Sequence, residues 1–141
     1  MERARGRIEG FNRETLTLQD LAAHCEDRRI DLVQLPLRRA HGCSIYEARE
    51  PMIYINSLLS EPEKIIAGFH EYLHITDGVV AQAYWSTGTF WNLSKLEYQA
   101  QVVGVMALMP DELVKWSTED EICREFNVSR RTARFRLSLF R

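Results

Sequence analysis

The feature that most constrains this chain is a strongly marked helix start in its middle, at Ser60-Glu61-Pro62-Glu63. Ser60 suits the N-cap, Glu63 completes a capping box three residues later, and proline is favoured in a first helical turn. Apolar residues then recur at helical spacing, and a glycine suited to a C-cap follows them. These residues are Ile65, Ile66, Phe69, Tyr72, Leu73 and Gly78. We expect one well-defined helix with a buried face, against which the rest of the chain has to pack.

The same helix contains the pattern H-E-x-x-H, at His70-Glu71-Tyr72-Leu73-His74. Residues i and i+4 lie one above the other on a helix, so both imidazoles can reach one zinc ion. Glu71 points to the side on which the water used by a metallopeptidase would lie. The pattern therefore predicts a zinc site typical of metallopeptidases. The simpler interpretation is a pair of ordinary surface or core histidines.

A third ligand has to come from another segment, because a catalytic zinc site usually has three protein ligands and one open position. Glu97 is the only acidic residue between Asp77 and Asp111, and it precedes an apolar run that predicts a buried helix over 95–109. We expect this helix to begin at Ser94. The Glu97 carboxylate is then either a zinc ligand or part of a capping box with Ser94. The residues alone leave both interpretations open.

Elsewhere the patterns indicate short helices and strands. Thr17 suits the N-cap of an amphipathic helix over 18–25. Three segments rich in strand formers follow it, at Ile30–Leu37, Cys43–Ala48 and Met52–Ile55. We predict an α+β fold, with a small antiparallel sheet packed on a helical zinc-peptidase core. Residues 1–13 are predicted to be a loose arm, and residues 79–93 a hairpin or a loop beside a cleft.

The C-terminal segment differs in charge from the rest of the chain. Residues 122–141 contain six arginines and one glutamate, a local charge of +5, so the first 121 residues carry −7. Capping patterns at Thr118 and Ser129 predict a pair of helices over 117–141, similar to a helix-turn-helix. DNA binding by the arginines is one interpretation. We favour packing on the core with the arginines in solvent, because two short helices give a small footprint. The apolar residues for this packing are Ile122, Phe126, Val128, Phe135, Leu137 and Phe140, and the arginines are Arg130, Arg131, Arg134 and Arg136.

Length and cysteine content narrow the class of protein further. A chain of 141 residues fits one domain with a single core, so we predict one soluble domain over 1–141. No segment is apolar enough to span a membrane, and no apolar run follows the basic N-terminus, so we expect a cytoplasmic protein with no membrane partner. Three widely spaced cysteines, Cys25, Cys43 and Cys123, argue against a disulfide scaffold and against a cysteine zinc cage.

Several segments, taken together, have the pattern of a known family. They are Met52–Asn56, Phe69–His74, Glu97–Ala100, Ala107–Pro110, Phe126–Ser129 and Arg136–Leu137. In this combination the chain resembles the ImmA/IrrE family of bacterial metallopeptidases, over about residues 30–140. The combination is much more specific than the zinc motif alone.

The resemblance implies an activity and a set of site residues. It implies Zn²⁺ as the cofactor, with His70, His74 and Glu97 as ligands, and Glu71 as the general base of peptide hydrolysis. It also implies a protein substrate, a helix-turn-helix repressor whose cleavage releases genes of a mobile element or a stress response. The alternative is a non-catalytic, zinc-bearing or DNA-binding regulatory protein that binds a repressor or its operator.

The chain departs from the family pattern at Gln99, where many relatives have an acidic residue, and at Val103-Gly104, which replaces Phe-Ala. We expect looser helix packing from these changes. The residue that stabilises the oxyanion is not determined, and the candidates are Tyr84, Tyr46, Tyr54 and His41. An extended substrate could pair with the edge of the sheet. Side-chain pockets for it are expected from Trp85, Phe90 or Trp91.

Overall fold

A computed structural model describes residues 8–47, 50–76 and 90–140 of the chain, without the side chains of residues 46–47 and 90–94. The elements follow in the order α1 Leu18–Asp27, β1 Asp31–Leu35, β2 Gly42–Glu47, β3 Glu50–Asn56, α2 Glu61–Thr76, α3 Phe90–Leu108, α4 Asp111–Val114, α5 Glu119–Phe126 and α6 Arg130–Ser138. The predicted α+β class is confirmed. No helix in the described ranges is both long and apolar enough to cross a bilayer.

The sheet is mixed, with the strand order β1-β3-β2. β2 is antiparallel to β3, as predicted, with Cys43 opposite Tyr54. β1 is parallel to β3, with Leu32 opposite Ile53, so the prediction of an antiparallel sheet is wrong for this pair. The reason is the connection: only two residues separate β2 from β3, which favours a hairpin, and β3 then occupies the central position beside β1. Ile53 and Ile55 of this central strand are fully buried.

Helix α2 lies at the centre of the fold and packs against the sheet, α1 and α3. Its start matches the predicted capping box, since the Ser60 amide donates to Glu63 Oε2 and the Glu63 amide donates to Ser60 Oγ, each at 3.4 Å. Gly68 faces α1 and β3, where an added Cβ would collide with the Leu21 side chain. The predicted C-cap Gly78 lies outside the described residues.

Helix α3 begins earlier than expected, at Phe90 rather than at Ser94. Glu97 is therefore two turns inside the helix, and Ser94 is not its N-cap. The predicted burial of this helix is confirmed, since its residues from Val102 to Leu108 are buried. At Gly104 the helix touches α2 closely, because an added Cβ would lie 2.5 Å from the Ile66 carbonyl oxygen. The expectation of looser packing is wrong at this position, where glycine allows a closer approach than alanine.

The N-terminal residues that the structure describes are not a loose arm. Ile8 and Phe11 are 1% and 3% exposed and belong to the hydrophobic core. Asn12 is held to the start of α4, where its Nδ2 donates to Asp111 Oδ2 and its Oδ1 accepts from the Asp111 amide, both at 2.8 Å. The prediction missed this because two apolar residues in an arginine-rich segment show no period. Residues 1–7 lie outside the described part of the chain.

The C-terminal pair α5–α6 packs on the core as predicted, except that Phe140, one of the predicted packing residues, is exposed. Thr118 and Ser129 cap the two helices, and Asn127 between them adopts a left-handed conformation with φ of 53°. Ile122, Phe126 and Val128 are buried. One arginine contradicts the expectation of arginines in solvent: Arg136 is fully buried.

Candidate metal centre and active site

The two histidines of the H-E-x-x-H pattern converge on one point beside α2. They lie one helical turn apart, and their Nε2 atoms are 3.2 Å from each other. The side chain of His74 is 8% exposed and that of His70 is 22% exposed. Because two neutral imidazoles cannot both donate across this gap, the contact leaves at least one nitrogen lone pair aimed at the shared point.

Glu97 of α3 completes the cluster. Its Oε1 lies 2.8 Å from His74 Nε2, and its Oε2 lies 3.1 Å from His70 Nε2. The capping interpretation of Glu97 fails, because the helix begins at Phe90 and the carboxylate faces the two histidines. His70, His74 and Glu97 form the group in the described residues that could hold a metal ion.

The spacing between the imidazole nitrogens and the carboxylate oxygens fits a small tetrahedral metal ion. Two atoms bonded to one zinc ion at about 2.0–2.1 Å lie about 3.3 Å apart in tetrahedral geometry. The two Nε2 atoms are 3.2 Å apart, and each lies 2.8 or 3.1 Å from one oxygen of Glu97, all near that value. The carboxylate faces the two imidazoles with different oxygens, and one ligand atom from each of the three residues lies within 4.8 Å of the other two. Two imidazoles and a carboxylate are also a common ligand set of catalytic zinc, which leaves the fourth position open. The donor set therefore fits Zn²⁺.

The close contact between α2 and α3 explains how Glu97 reaches the histidines. Ile66, His70 and His74 follow one another at four-residue intervals along one face of α2. Gly104 contacts α2 at Ile66, and Glu97, seven residues earlier in α3, contacts it at the histidines. The two helices therefore run in opposite directions. Their separation at Gly104 contributes to placing the carboxylate within ligand distance.

The electrostatics of the site favour the form of histidine that binds metals. Burial lowers the pKa of His70, and the neighbouring His74 lowers it further, whereas Glu71 and Glu97 oppose this shift. The net direction is downward, so the neutral imidazole is favoured. Only a deprotonated ring nitrogen can bind a metal ion.

Glu71, the glutamate of the H-E-x-x-H pattern, contacts strand β2. Ser44 Oγ donates to Glu71 Oε2 at 2.7 Å. Gly42, two residues earlier on the same face of this strand, lies so close that an added Cβ would be 3.3 Å from Glu71 Cγ. The strand thus holds the carboxylate with a hydroxyl donor and leaves room for it with a glycine.

A cleft of about 980 Å³ opens beside His70 and Glu71. Residues 40–42 and α2 form one side of it, and α6 contributes residues to its lining, among them Arg131, Arg134 and Phe135. His41 is exposed and lines this cleft, whereas Tyr54 does not belong to the lining. The other predicted oxyanion candidates, the Tyr46 side chain and Tyr84, lie outside the described residues, as do the predicted pocket side chains Trp85, Phe90 and Trp91.

His24 and the three cysteines do not belong to the cluster. His24 Nδ1 donates to the Asp20 carbonyl, and His24 Nε2 accepts from the Glu9 amide, so both ring nitrogens have partners. All three cysteines are free thiols. Burial raises the pKa of Cys25 to about 12, which keeps this thiol protonated and unreactive.

Sequence reasoning missed Ser44, which contacts the glutamate of the zinc motif. A serine within a short strand carries no motif, and only the side-by-side placement of β2 and α2 gives it a role. Because side chains alternate along a strand, Ser44 lies on the same face of β2 as Gly42. This alternation is a weak signal from which a shared role of the two residues could have been predicted.

Comparison with known proteins agrees with the geometry of the site. The model of the Peptidase M78 family, described as IrrE N-terminal-like domain, matches residues 25–138. This range includes the H-E-x-x-H helix, Glu97, and most of the C-terminal pair. A search of curated proteins finds no match. With four-fifths of its length matched, the chain belongs to the Peptidase M78 family of IrrE N-terminal-like domains.

Proposed function

We propose that the protein is a zinc-dependent endopeptidase whose substrate is a helix-turn-helix transcriptional repressor. The observation that carries the proposal is the convergence of His70, His74 and Glu97 beside Glu71, in a chain of a peptidase family. Cleavage of the repressor would release the genes of a mobile element or a stress response, as the resemblance to ImmA/IrrE proteins suggests.

In this proposal His70, His74 and Glu97 hold Zn²⁺. The ion, when bound, supplies Lewis-acid chemistry: it lowers the pKa of water toward about 7 and polarises a peptide carbonyl. His74 is nearly buried, which limits competition from solvent at this ligand, and the half-exposed Glu97 leaves the site accessible from one side.

Glu71 acts as the general base and acid. Its carboxylate removes a proton from the attacking water and returns that proton to the amine of the departing peptide segment. The hydrogen bond from Ser44 fixes one carboxylate oxygen, Oε2, so that Oε1 is left for the proton transfer. Ser44 is therefore a positioning residue, which acts on the reaction through Glu71.

An extended peptide could be bound next to Glu71 by strand pairing. β2 is at one edge of the described sheet, with β3 as its hydrogen-bonded neighbour. Addition of a substrate strand to such an edge supplies main-chain hydrogen bonds for any sequence. Because Ser44 belongs to the same strand, a peptide bound there would lie close to the proposed base.

The test is to measure zinc content and repressor cleavage in parallel for the parent protein and three variants. Its substrate is a purified helix-turn-helix repressor encoded beside the gene of this protein. We expect Glu71→Gln to retain zinc and to lose cleavage by about 10²-fold or more, because general base catalysis is removed. Glu97→Gln should lose zinc. Gln99→Ala, an exposed neighbour on the same helix, is the matched control and should change neither quantity.

Two results would contradict the proposal. Cleavage at the parent rate by a zinc-loaded Glu71→Gln variant would exclude Glu71 as the base. Binding of the repressor without cleavage by the zinc-loaded parent protein would instead support a non-catalytic regulatory protein.

A further inference from the structure

The C-terminal helix α6 contributes a side chain of the cleft that the peptidase chemistry does not use. The cleft that His70 and Glu71 line is also lined by Arg131 and Arg134 of this helix. A basic tail on an acidic body was evident in the sequence, but its arginines differ in what they contact. Their partners decide which of them is available to a ligand.

Most of the described α6 arginines are neutralised within the protein. Arg130 pairs with Asp120 at 2.7 Å and with Glu119 at 3.3 Å. Arg134 donates to both oxygens of Glu119, through Nε at 3.2 Å and Nη2 at 3.1 Å. The buried Arg136 pairs with Asp111. These contacts occupy the guanidinium groups that a nucleic-acid phosphate would otherwise meet.

Arg131 is different. It is exposed, it lines the cleft, and within residues 8–47, 50–76 and 90–140 no carboxylate or carbonyl accepts a hydrogen bond from it. Its guanidinium has five donors in a planar fork that matches a carboxylate, and it stays charged at any pH the protein experiences. It is thus a cation with unused donors that lines the same cleft as the proposed catalytic glutamate.

We propose that Arg131 binds a carboxylate of the substrate peptide and so selects acidic peptides in the cleft. The inference rests on the proposed peptidase function and names the substrate class for it. A carboxylate can come from an Asp or Glu side chain or from a free C-terminus, and both match the fork. An Arg–carboxylate pair that remains open to water on one side gives a preference of about two- to fivefold.

Binding is measured with the Glu71→Gln variant, so that no peptide is consumed. Two sets of fluorescein-labelled, C-terminally amidated ten-residue peptides are compared, one with a single Glu and one with a single Gln in an otherwise randomised neutral sequence. Each set consists of ten libraries, in which the Glu or Gln occupies a different one of the ten positions. A third set has neutral side chains and a free C-terminal carboxylate. Fluorescence anisotropy gives the Kd of each set for the zinc-loaded and the zinc-free protein.

We expect one set with a carboxylate to bind about two- to fivefold more tightly than its neutral counterpart. Adding Arg131→Gln should bring that ratio to one, and Arg131→Glu should invert it. Arg124→Gln is the matched control, because it removes an equal charge from an exposed position of α5 that does not line the cleft. It should leave the ratio of the two Kd values unchanged. Preference for the Glu peptides or for the free C-terminus identifies the source of the carboxylate.

The proposal is overturned when Arg131→Gln keeps the preference, when Arg124→Gln removes it equally, or when no peptide set binds at all. Cleavage of the same peptides by the protein with Glu71 intact separates this outcome from failure of the peptidase function. Cleavage without any dependence on Arg131 refutes only the carboxylate site. An Arg131-dependent preference without cleavage refutes only the peptidase.

Discussion

The buried Arg136 gives a prediction whose magnitude follows from its contacts. Its side chain is fully buried in the described structure, and three interactions surround it. Nε donates to the Met109 carbonyl at 2.8 Å, Nη2 donates to Asp111 Oδ1 at 2.5 Å, and the guanidinium carbon lies 4.9 Å from the Phe140 ring centroid. Nη1 has no hydrogen-bond partner, so the environment stabilises this cation incompletely.

Replacing Arg136 with methionine keeps much of the side-chain volume and removes the charge and the donors. Breaking a buried ion pair costs about 3–5 kcal/mol when the partner stays buried. The Asp111 side chain is 36% exposed, so water can partly replace the guanidinium, and we expect the lower end of the range, about 3 kcal/mol. With about 2.1 cal/mol/K of unfolding entropy per residue, this corresponds to a fall in Tm of about 10 °C.

The assay is thermal and urea unfolding followed by circular dichroism, with the same zinc load for each protein. Arg131→Met is the matched control, because it removes an exposed arginine from the same helix and should change stability by less than about 0.5 kcal/mol. Adding Asp111→Asn to Arg136→Met should recover part of the loss, since the negative charge that Arg136 neutralises is then removed as well. A single variant as stable as the control would refute the reasoning that this ion pair fixes α6 to the core.

Further predictions concern the metal centre. Gly104→Ala should lower the free energy of unfolding by about 1–3 kcal/mol, because a Cβ there must push α2 and α3 apart. It should also weaken zinc binding, measured by competition with a chelator. An unchanged zinc affinity would show that this spacing does not position Glu97. Ser44→Ala should lower kcat about five- to tenfold with KM and Tm nearly unchanged, because a hydrogen bond worth about 1 kcal/mol that orients Glu71 is lost. Ser44→Thr keeps the hydroxyl and should restore kcat. A change confined to KM would argue against a role through Glu71. Saturating zinc, at about 1,000 times its Kd, should stabilise the parent by about 4 kcal/mol in differential scanning calorimetry. This gain should be absent in Glu97→Gln, and a full gain there would remove Glu97 from the ligand set.

The features predicted well from the sequence are those fixed by local interactions. The predicted N-cap at Thr17 and the predicted capping boxes at Ser60 and Thr118 each involve residues three positions apart, and all three helix starts are confirmed. The spacing of His70 and His74 is likewise a property of a single helix. For such features the residues that decide the structure are neighbours in the chain, so the pattern contains the necessary information.

The features that the sequence did not determine depend on contacts between distant segments. The direction of β1 relative to β3 follows from which strand takes the central position, and no residue of β1 encodes that choice. The start of α3 was misplaced because Ser94 and Glu97 have the spacing of a capping box, although the helix continues four residues further back. Arg136 was expected in solvent because a single arginine shows no sign of its acceptor, the Met109 carbonyl 27 positions away.

Helix α3 links the metal centre to the wall of the cleft, which gives a physical reason for the length of its buried segment. Two turns after its start Glu97 contacts the histidines of α2, and just after its end the Met109 carbonyl accepts a hydrogen bond from Arg136 of α6. Gly104 lies between these two points, where an added Cβ would be 2.5 Å from the Ile66 carbonyl oxygen of α2. A rigid helix that is fixed at both positions keeps α6, and with it Arg131, in a constant relation to the proposed catalytic Glu71. Loops could not hold this relation, because their backbone would have to be satisfied separately within the core. The basic tail is therefore better explained as a part of the proposed substrate cleft that α3 holds in place than as an appendage with an independent function.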